Sequence, residues 1–551
     1  MLAKDRIAEA IRQSLDAAVK AGELPQAEAG HVLVERPQKA EHGDFACSLP
    51  MKLARTMRMS PMAIAQKLAA HIETSEMVEK VSTAPPGFLN FSLRPEWLAA
   101  QVEEVLRAGE TFGNVSIGAG KRAQVEFVSV NPTGPLHVGH ARGAVIGSAL
   151  ADVLQAAGYG VQREYYINDA GAQMERFARS LYARYSGRPV PEDGYKGEYM
   201  LALAEEVRHE CGDRFEGMAE QGAVKELCDI GLEKMLAAIR QDLETLRIHM
   251  DSWFSERSLF TNGQYERALG ILDEKGLLAE REGAKWFAST TLGEDKDNVV
   301  ERSTGAPTYF GSDIAYHYNK FTERRFDLVV DVWGADHQGH VARTKAVVGA
   351  LGVPTERFEI LIVQIVTFKR GQEVVKLSKR SGELVTLREL AEEVGADACR
   401  FLFLSRSAEA QLEFDMELAK QQSADNPVYY VQYAHARISS ILALARERGI
   451  AYADGDVSLL THEAELALIR KILELPELVE VMAKKLEPHH LPHYAMALAT
   501  AFHWFYQQCR VVSSAPEDMP LTKARLKLVE GSRIALARSL GLMGMTAPEK
   551  M

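Results

Sequence analysis

The sequence predicts a multi-domain α/β protein: a small α/β N-terminal domain, a parallel-sheet domain with a helical insertion, and an all-α C-terminal bundle. Three observations predict it. The 551 residues exceed what one hydrophobic core holds and set a prior of roughly 3–4 domains. A strand–loop–helix–strand pattern opens near residue 123, and apolar runs return at 328–333 and 360–368. Beyond Gly395 only amphipathic helical spacing remains.

Composition narrows the class. Hydrophobic residues make up 46% and charged residues 25%, so the chain is neither disordered nor collagen-like. Mean hydropathy is -0.16, and no apolar run reaches the ~20 residues of a membrane helix. The N-terminus, with Lys4, Asp5, Arg6 and Glu9, reads as an amphipathic helix and not a signal peptide. The expectation is a cytoplasmic protein with no membrane partner. Five dispersed cysteines without a CxxC pair predict neither disulfides nor a cysteine zinc site, and each reads as a small buried hydrophobe. A net charge of -12 argues against nucleic acid, but two basic runs soften that. Lys52, Arg55, Arg58 and Lys67 stand in 45–72 without an acid, and Lys523, Arg525, Lys527, Arg533 and Arg538 stand in 521–540 against Glu530 alone.

In chain order, Ile7, Ile11, Leu15 and Ala18 space a helix, and Ser60-Pro61 caps a second over about 60–72. Residues 84–91 are a turn feeding a short strand, and Gly113 to Lys121 reads as a linker. Val125, Phe127 and Val128 make a strand, 131–135 a Pro/Gly loop, 137–157 a helix ended by Gly158, and 161–167 a strand. That unit is a parallel βαβ opening. Residues 172–275 read as a mostly helical, polar insertion, and 396–551 as about five helices. The divisions are 1–115, 116–395 and 396–551.

Two motifs carry the chemistry. His137-Val-Gly-His140 follows the first strand of the sheet, where open parallel sheets bind ligands and a helix N-terminus favours phosphate. Its histidines suit hydrogen bonding to phosphate oxygens as charge develops there. A metal pair or buried structural histidines are the competing readings, and no third ligand stands nearby. Lys376-Leu377-Ser378-Lys379-Arg380 gathers three cations about a hydroxyl, suited to a triphosphate tail.

Together these resemble the HIGH and KMSKS pair of class I aminoacyl-tRNA synthetases. Val125-Glu126-Phe127, Trp253-Phe254-Ser255-Glu256, Trp333-Gly334-Ala335-Asp336-His337, the run from Tyr430 to Arg437 and the ending Pro548 to Met551 extend the resemblance to the arginyl-tRNA synthetase family over essentially the whole chain. Leu377 and Arg380 depart from the Met and final Ser of KMSKS. Lys376 is present, whereas many arginyl enzymes lack it.

The resemblance implies a Rossmann-like catalytic domain, an N-terminal domain that meets the tRNA elbow and a C-terminal anticodon-binding bundle. It implies an arginine–tRNA ligase: L-arginine and ATP give arginyl-adenylate, and arginine passes to the 3′-terminal adenosine of tRNA(Arg). The alternative is a synthetase-like protein that binds tRNA or RNA without charging it. The implied catalytic residues are His137, His140, Lys376 and Lys379. Gly134, Gly139, Gly334, Asp336 and Ser378 would join the histidines in binding ATP. Glu126, Asn131, Tyr309, Asp313 and His337 would line the arginine pocket. Phe88, Asn90, Tyr430, Tyr433, Tyr506 and Met551 would meet tRNA. ATP would arrive with Mg²⁺, no structural metal is expected, and the chain is expected to be a monomer.

Overall fold

The computed structural model describes residues 2–375 and 385–551. At the N-terminus, α1 (Ala3–Lys20) turns Ile7, Ile11, Leu15 and Ala18 inward, as their spacing predicts. Strands β1 (Val34–Glu35), β2 (Phe45–Cys47), β3 (Val78–Ala84) and β4 (Phe88–Leu93) form an antiparallel sheet in the order β1-β2-β4-β3. Helices α2 (Leu49–Met57) and α3 (Pro61–Ala70) pack with it, and Ser60 caps α3 by accepting from the Ala63 N–H at 3.2 Å. Then α4 (Pro95–Ala108) leads out.

The stretch 113–121 is no loose linker. Val115, Gly118 and Gly120 donate backbone bonds to Ala156, Ala157 and Gly158, so it lies against the end of the next helix. The central sheet is parallel and ordered β12-β11-β5-β6-β7, from β5 (Arg122–Glu126), β6 (Gly160–Ile167), β7 (Ser252–Ser255), β11 (Leu328–Gly334) and β12 (Phe358–Val363). Helix α5 (Val138–Ala156) crosses from β5 to β6 as expected, and Gly158 turns the chain with φ of 90°.

Several expectations are corrected. Phe127 and Val128 are not strand: β5 ends at Glu126, and Val128 and Ser129 take left-handed conformations. The stretch 172–275 is helical through α6 (Ala172–Tyr185), α7 (Glu198–Cys211) and α8 (Glu220–Thr245), but β7 then returns to the sheet before α9 (Arg257–Thr261) and α10 (Gln264–Glu274). A small antiparallel sheet, β8 (Leu278–Arg281), β9 (Ala284–Phe287) and β10 (Asn298–Glu301), was not foreseen. The run 360–368 is two strands: β12 stays in the parallel sheet, and β13 (Val366–Arg370) joins β14 (Glu373–Val374) and β15 (Leu412–Asp415) in another. Strand structure therefore continues past Gly395. Between β10 and β15 lie α11 (Tyr309–Tyr318), α12 (Val341–Ala350), α13 (Leu387–Val394) and α14 (Ala396–Leu404).

The C-terminal bundle holds α15 (Met416–Lys420), α16 (Pro427–Glu447), α17 (Glu463–Ile472), α18 (Glu474–Lys485), α19 (His490–Gln508) and α20 (Met519–Leu542). With α14, seven helices occupy 396–551 among the described residues, two of them too short to carry a periodic signal. The basic run 521–540 is not a free patch. Lys523, Arg525, Lys527 and Arg533 pair with Asp454, Glu465, Glu103 and Glu530, and Arg538 donates to Asn114. Lys52, Arg55 and Arg58 in the other run are exposed and make no ion pair among the described residues. All five cysteines are free thiols; Cys47, Cys399 and Cys509 are buried, but Cys211 and Cys228 are only half-buried. Among the described residues no helix is long and apolar enough to cross a membrane.

Candidate active site

The site lies at the carboxyl ends of β5, β6 and β11. The chain leaves β5 through Val128 and Ser129, with φ of 71° and 40°. A left-handed β-branched residue is strained and persists only where its surroundings impose it. They do so here: the Tyr165 hydroxyl donates to the Val130 carbonyl at 2.8 Å, and Ser129 Oγ accepts from the Tyr166 N–H at 3.0 Å. The loop that follows is tied from the far side, because Val138 N–H donates to Val385 O and Leu387 N–H to Leu136 O. The stretch after the basic motif thus runs beside His137. Lys376, Leu377, Ser378, Lys379 and Arg380 themselves lie outside the described residues.

His137 caps α5, its Nδ1 accepting from the Gly139 N–H at 3.1 Å. The His137 N–H donates to His140 Nδ1 at 3.3 Å, and the ring centroids are 3.6 Å apart. Burial holds both rings neutral: it lowers His137, and with His137 alongside it pushes His140 down to about 3. A neutral ring that accepts at Nδ1 carries its proton on Nε2. Each histidine is therefore a one-proton donor beside a helix N-terminus. Gly139 must stay small for an internal reason, since a Cβ there would meet the His137 ring at 2.9 Å. Gly134 is packed less tightly, since a Cβ there would lie 3.6 Å from the Tyr199 ring, an ordinary contact. Gly334 closes β11 and exposed Asp336 follows it, and a methyl on Gly334 would fall 2.5 Å from Asp336 Oδ1. His337 is exposed beside them, 3.5 Å from Asp336 Oδ2.

Three carboxylates sit level on adjacent strands, Asp331 opposite Glu126 and Glu126 opposite Glu164. Such a row is tolerable only if compensated. Buried Lys320 donates to Glu126 at 2.6 Å and to Asp331 at 2.7 Å, while Arg324 and the Tyr316 hydroxyl hold Glu164. Burial opposes charge on Asp331, but Lys320 and His317 outweigh it and lower its pKa. Glu126 spends one oxygen on Lys320, and the other has no partner among the described residues.

Asp313 differs. Its carboxylate makes no hydrogen bond or ion pair among the described residues, and burial raises its pKa against the pull of His317 and Arg343. Tyr309, one turn earlier on α11, and Asn131 are joined by a residue sequence reasoning missed. Asn168 Nδ2 donates to Asn131 Oδ1 at 3.0 Å and to the Tyr309 oxygen at 3.2 Å. Glu256, quoted within its motif but given no role, is also here. It is buried, its Oε2 lacks a partner among the described residues, and burial pushes its pKa up to about 7.

The other expected contacts lie apart. Phe88 and buried Asn90 line a cavity of about 510 Å³ with Arg36, Lys39 and His42. On the bundle, the Arg437 guanidinium lies 4.7 Å over Tyr506 and 5.9 Å over Tyr433, and Tyr430 and Tyr433 both meet His503. Neither Tyr430 nor Tyr433 is buried, and Arg437 is a second residue that spacing left unassigned. The C-terminal segment is held on α16 by His435, which donates to Pro548 O at 2.9 Å, and Met551 ends it exposed.

Comparison with known proteins identifies the family of the chain and the order of its regions. Three family models match in succession: "Arginyl tRNA synthetase N terminal domain" over 5–93, "tRNA synthetases class I (R), catalytic domain" over 101–439, and "DALR anticodon binding domain" over 431–551. An arginine–tRNA ligase of Dehalococcoides mccartyi is 55% identical, covering 100% of this chain and 99% of its own. One from Carboxydothermus hydrogenoformans is 47% identical over 97% of each. The solved arginyl-tRNA synthetase of Thermus thermophilus superposes over 100% of both chains with a TM-score of 0.78 at 25% identity. With three matched regions in order, end-to-end identity and a shared fold, the chain belongs to the arginyl-tRNA synthetase family of class I.

Proposed function

We propose that this arginine–tRNA ligase activates arginine at the carboxyl ends of β5, β6 and β11. Asp313 is the observation that carries the reading: a half-buried carboxylate with no partner among the described residues, its pKa raised by burial, wants a cation, and a guanidinium is one that burial cannot neutralise. Asn131, Tyr309 and the free oxygen of Glu126 complete the amino-acid site, with Glu126 and Asp313 dividing ammonium and guanidinium and His337 at its edge. The reaction is an in-line attack of the arginine carboxylate on the α-phosphorus of ATP, expelling pyrophosphate. It needs positioning and charge stabilisation, not a protein nucleophile. His137 and His140 supply Nε2–H donors to the phosphates; being neutral, they owe nothing to their own titration near pH 7. Gly134, Gly139, Gly334, Asp336 and Ser378 hold the nucleotide, and Lys376 and Lys379 draw off the pyrophosphate. Mg²⁺ arrives with ATP as part of that substrate.

For tRNA(Arg), the cavity around Phe88 and Asn90, rimmed by Lys39, suits a splayed base beside phosphates, while the Arg36 guanidinium in its wall is held by Glu477. The exposed cations Lys52, Arg55 and Arg58 of the same domain, which make no ion pair among the described residues, support the reading. Tyr430, Tyr433 and Tyr506, bracketed by Arg437, form a stacking face for anticodon bases, with Met551 at its edge. We take 1–115, 116–395 and 396–551 as the elbow-binding, catalytic and anticodon-binding domains of a cytoplasmic monomer.

The test is arginine-dependent exchange of pyrophosphate into ATP, with and without tRNA(Arg). Exchange driven by arginine and not by citrulline, its neutral isostere, is expected. Tight tRNA binding with no exchange or charging under any condition would instead mark a non-catalytic RNA binder.

A further inference from the structure

Asn168 is the first residue after β6, facing the loop that follows β5 and the first residue of α11. Both of its amide hydrogens are committed inward, to Asn131 Oδ1 at 3.0 Å and to the Tyr309 phenol oxygen at 3.2 Å. An amide that accepts through Oδ1 must present its own N–H groups elsewhere, and a phenol that accepts must aim its proton elsewhere. Among the described residues neither Asn131 Nδ2 nor the Tyr309 proton has a partner, and both side chains are exposed to the cleft. One turn along α11, Asp313 offers only acceptors. The cleft is therefore polarised, with donors at the Asn131 end and an acceptor at the Asp313 end. The donor end lies in the loop that carries His137 and His140.

We infer that Asn168 is a positioning residue for the amino-acid substrate: by donating to Asn131 and Tyr309 it turns their free hydrogens toward the substrate's carboxylate, the group that must attack ATP. This rests on the reading of Asn131 and Tyr309 as pocket residues. Without donors at position 168 the Asn131 amide is free to rotate, and the carboxylate loses hydrogen bonds of known direction. A carboxylate at that position would draw both donors inward and invert the polarity.

The experiment measures arginine KM, ATP KM and kcat for exchange by the full chain with tRNA. Inhibition by agmatine, which is arginine without its carboxylate, is measured alongside. Asn168→Leu, similar in size and unable to donate, is expected to raise arginine KM about 10- to 100-fold, the worth of hydrogen bonds to a charged group. Asn168→Asp should do at least as much. In both, agmatine inhibition and ATP KM should stay within about threefold, because neither ligand uses those bonds. Asn168→Ser keeps one donor in a smaller side chain; it should fall between leucine and wild type, and it tests the same point should the leucine not fold. An unchanged arginine KM in these variants overturns the inference, as does an equal loss of agmatine and arginine, the mark of a collapsed pocket. Asn131→Ala and Tyr309→Phe separate the two ways of failing. If neither moves arginine KM, the pocket reading itself fails. If they do and the Asn168 variants do not, only the role of Asn168 fails.

Discussion

Helix α11 is two regions in one element. At its amino end Tyr309 and Asp313 face the cleft with bonding capacity unspent. Past its second turn, His317 faces the Asp313 carbonyl at 2.7 Å and Asp331 at 3.1 Å, and Tyr316 donates to Glu164 at 2.6 Å. The helix then widens into a π turn over Asn319–Glu323, which carries Lys320 beneath the sheet to Glu126 and Asp331. The second region holds the first still: free groups bind well only if their supports cannot move. The same chemistry, buried carboxylates near cations, serves as scaffold where it is saturated and as recognition where it is not.

The largest effect should come from breaking the saturated half. Lys320→Met strands Glu126 and Asp331 without their shared cation, and losing one partner of a buried charge cluster costs about 3–5 kcal/mol. A fall in Tm with loss of both arginine and ATP binding is expected. A variant that keeps its Tm would mean the cluster does not brace the sheet.

Asp313→Asn strikes the unsatisfied half. No internal partner is orphaned, so Tm should hold or rise as a desolvated charge is removed. Arginine KM should rise by an amount worth about 2–5 kcal/mol while ATP affinity is kept. An unchanged arginine KM would remove Asp313 from recognition. His140→Ala tests a third category, a donor that counts mainly as charge develops. Single-turnover adenylation should slow by roughly 10²–10³ with arginine affinity kept. Loss of binding without a separate rate effect would make His140 structural, its work being only to hold the His137 N–H.

The contrast between the two halves also separates what could be read in the sequence from what could not. The strand–loop–helix–strand unit was legible because α5 is long and ends at a glycine, and HVGH stands in its loop. Tyr309 and Asp313 were reached through family resemblance, since an exposed Tyr and a half-buried Asp on a helix have no signature of their own. Lys320 was invisible: a lysine at a helix end reads as surface, and only the three-dimensional row of Glu126, Asp331 and Glu164 requires it to be buried. Asn168 was missed because its partners lie 37 and 141 residues away. Four-residue β7 and β15 have too few residues for alternation to show, and their partners are supplied by distant chain.

Glu256 stands between the two halves, buried like the scaffold but with one oxygen unpartnered like the recognition groups. Burial, reinforced by Asp313 and Asp169 and opposed by the hydrogen bond from Ser312, raises it to about 7. Its folded pKa thus exceeds the unfolded value of about 4.5, so its contribution to stability is full below that pH and is lost as pH rises through about 7. Arginine binding should run the other way. A cation in the cleft favours the ionised carboxylate, so binding expels a proton wherever Glu256 holds one. Arginine KM should fall as pH rises, approaching about tenfold per pH unit well below the inflection and standing at about twice its high-pH limit at pH 7 itself. The rise in Tm on adding arginine should grow over the same range. Glu256→Gln should flatten both dependences while leaving the pH profile of ATP binding in place. If the slope survives in that variant, the titrating group is Asp313, and Glu256 belongs wholly to the scaffold.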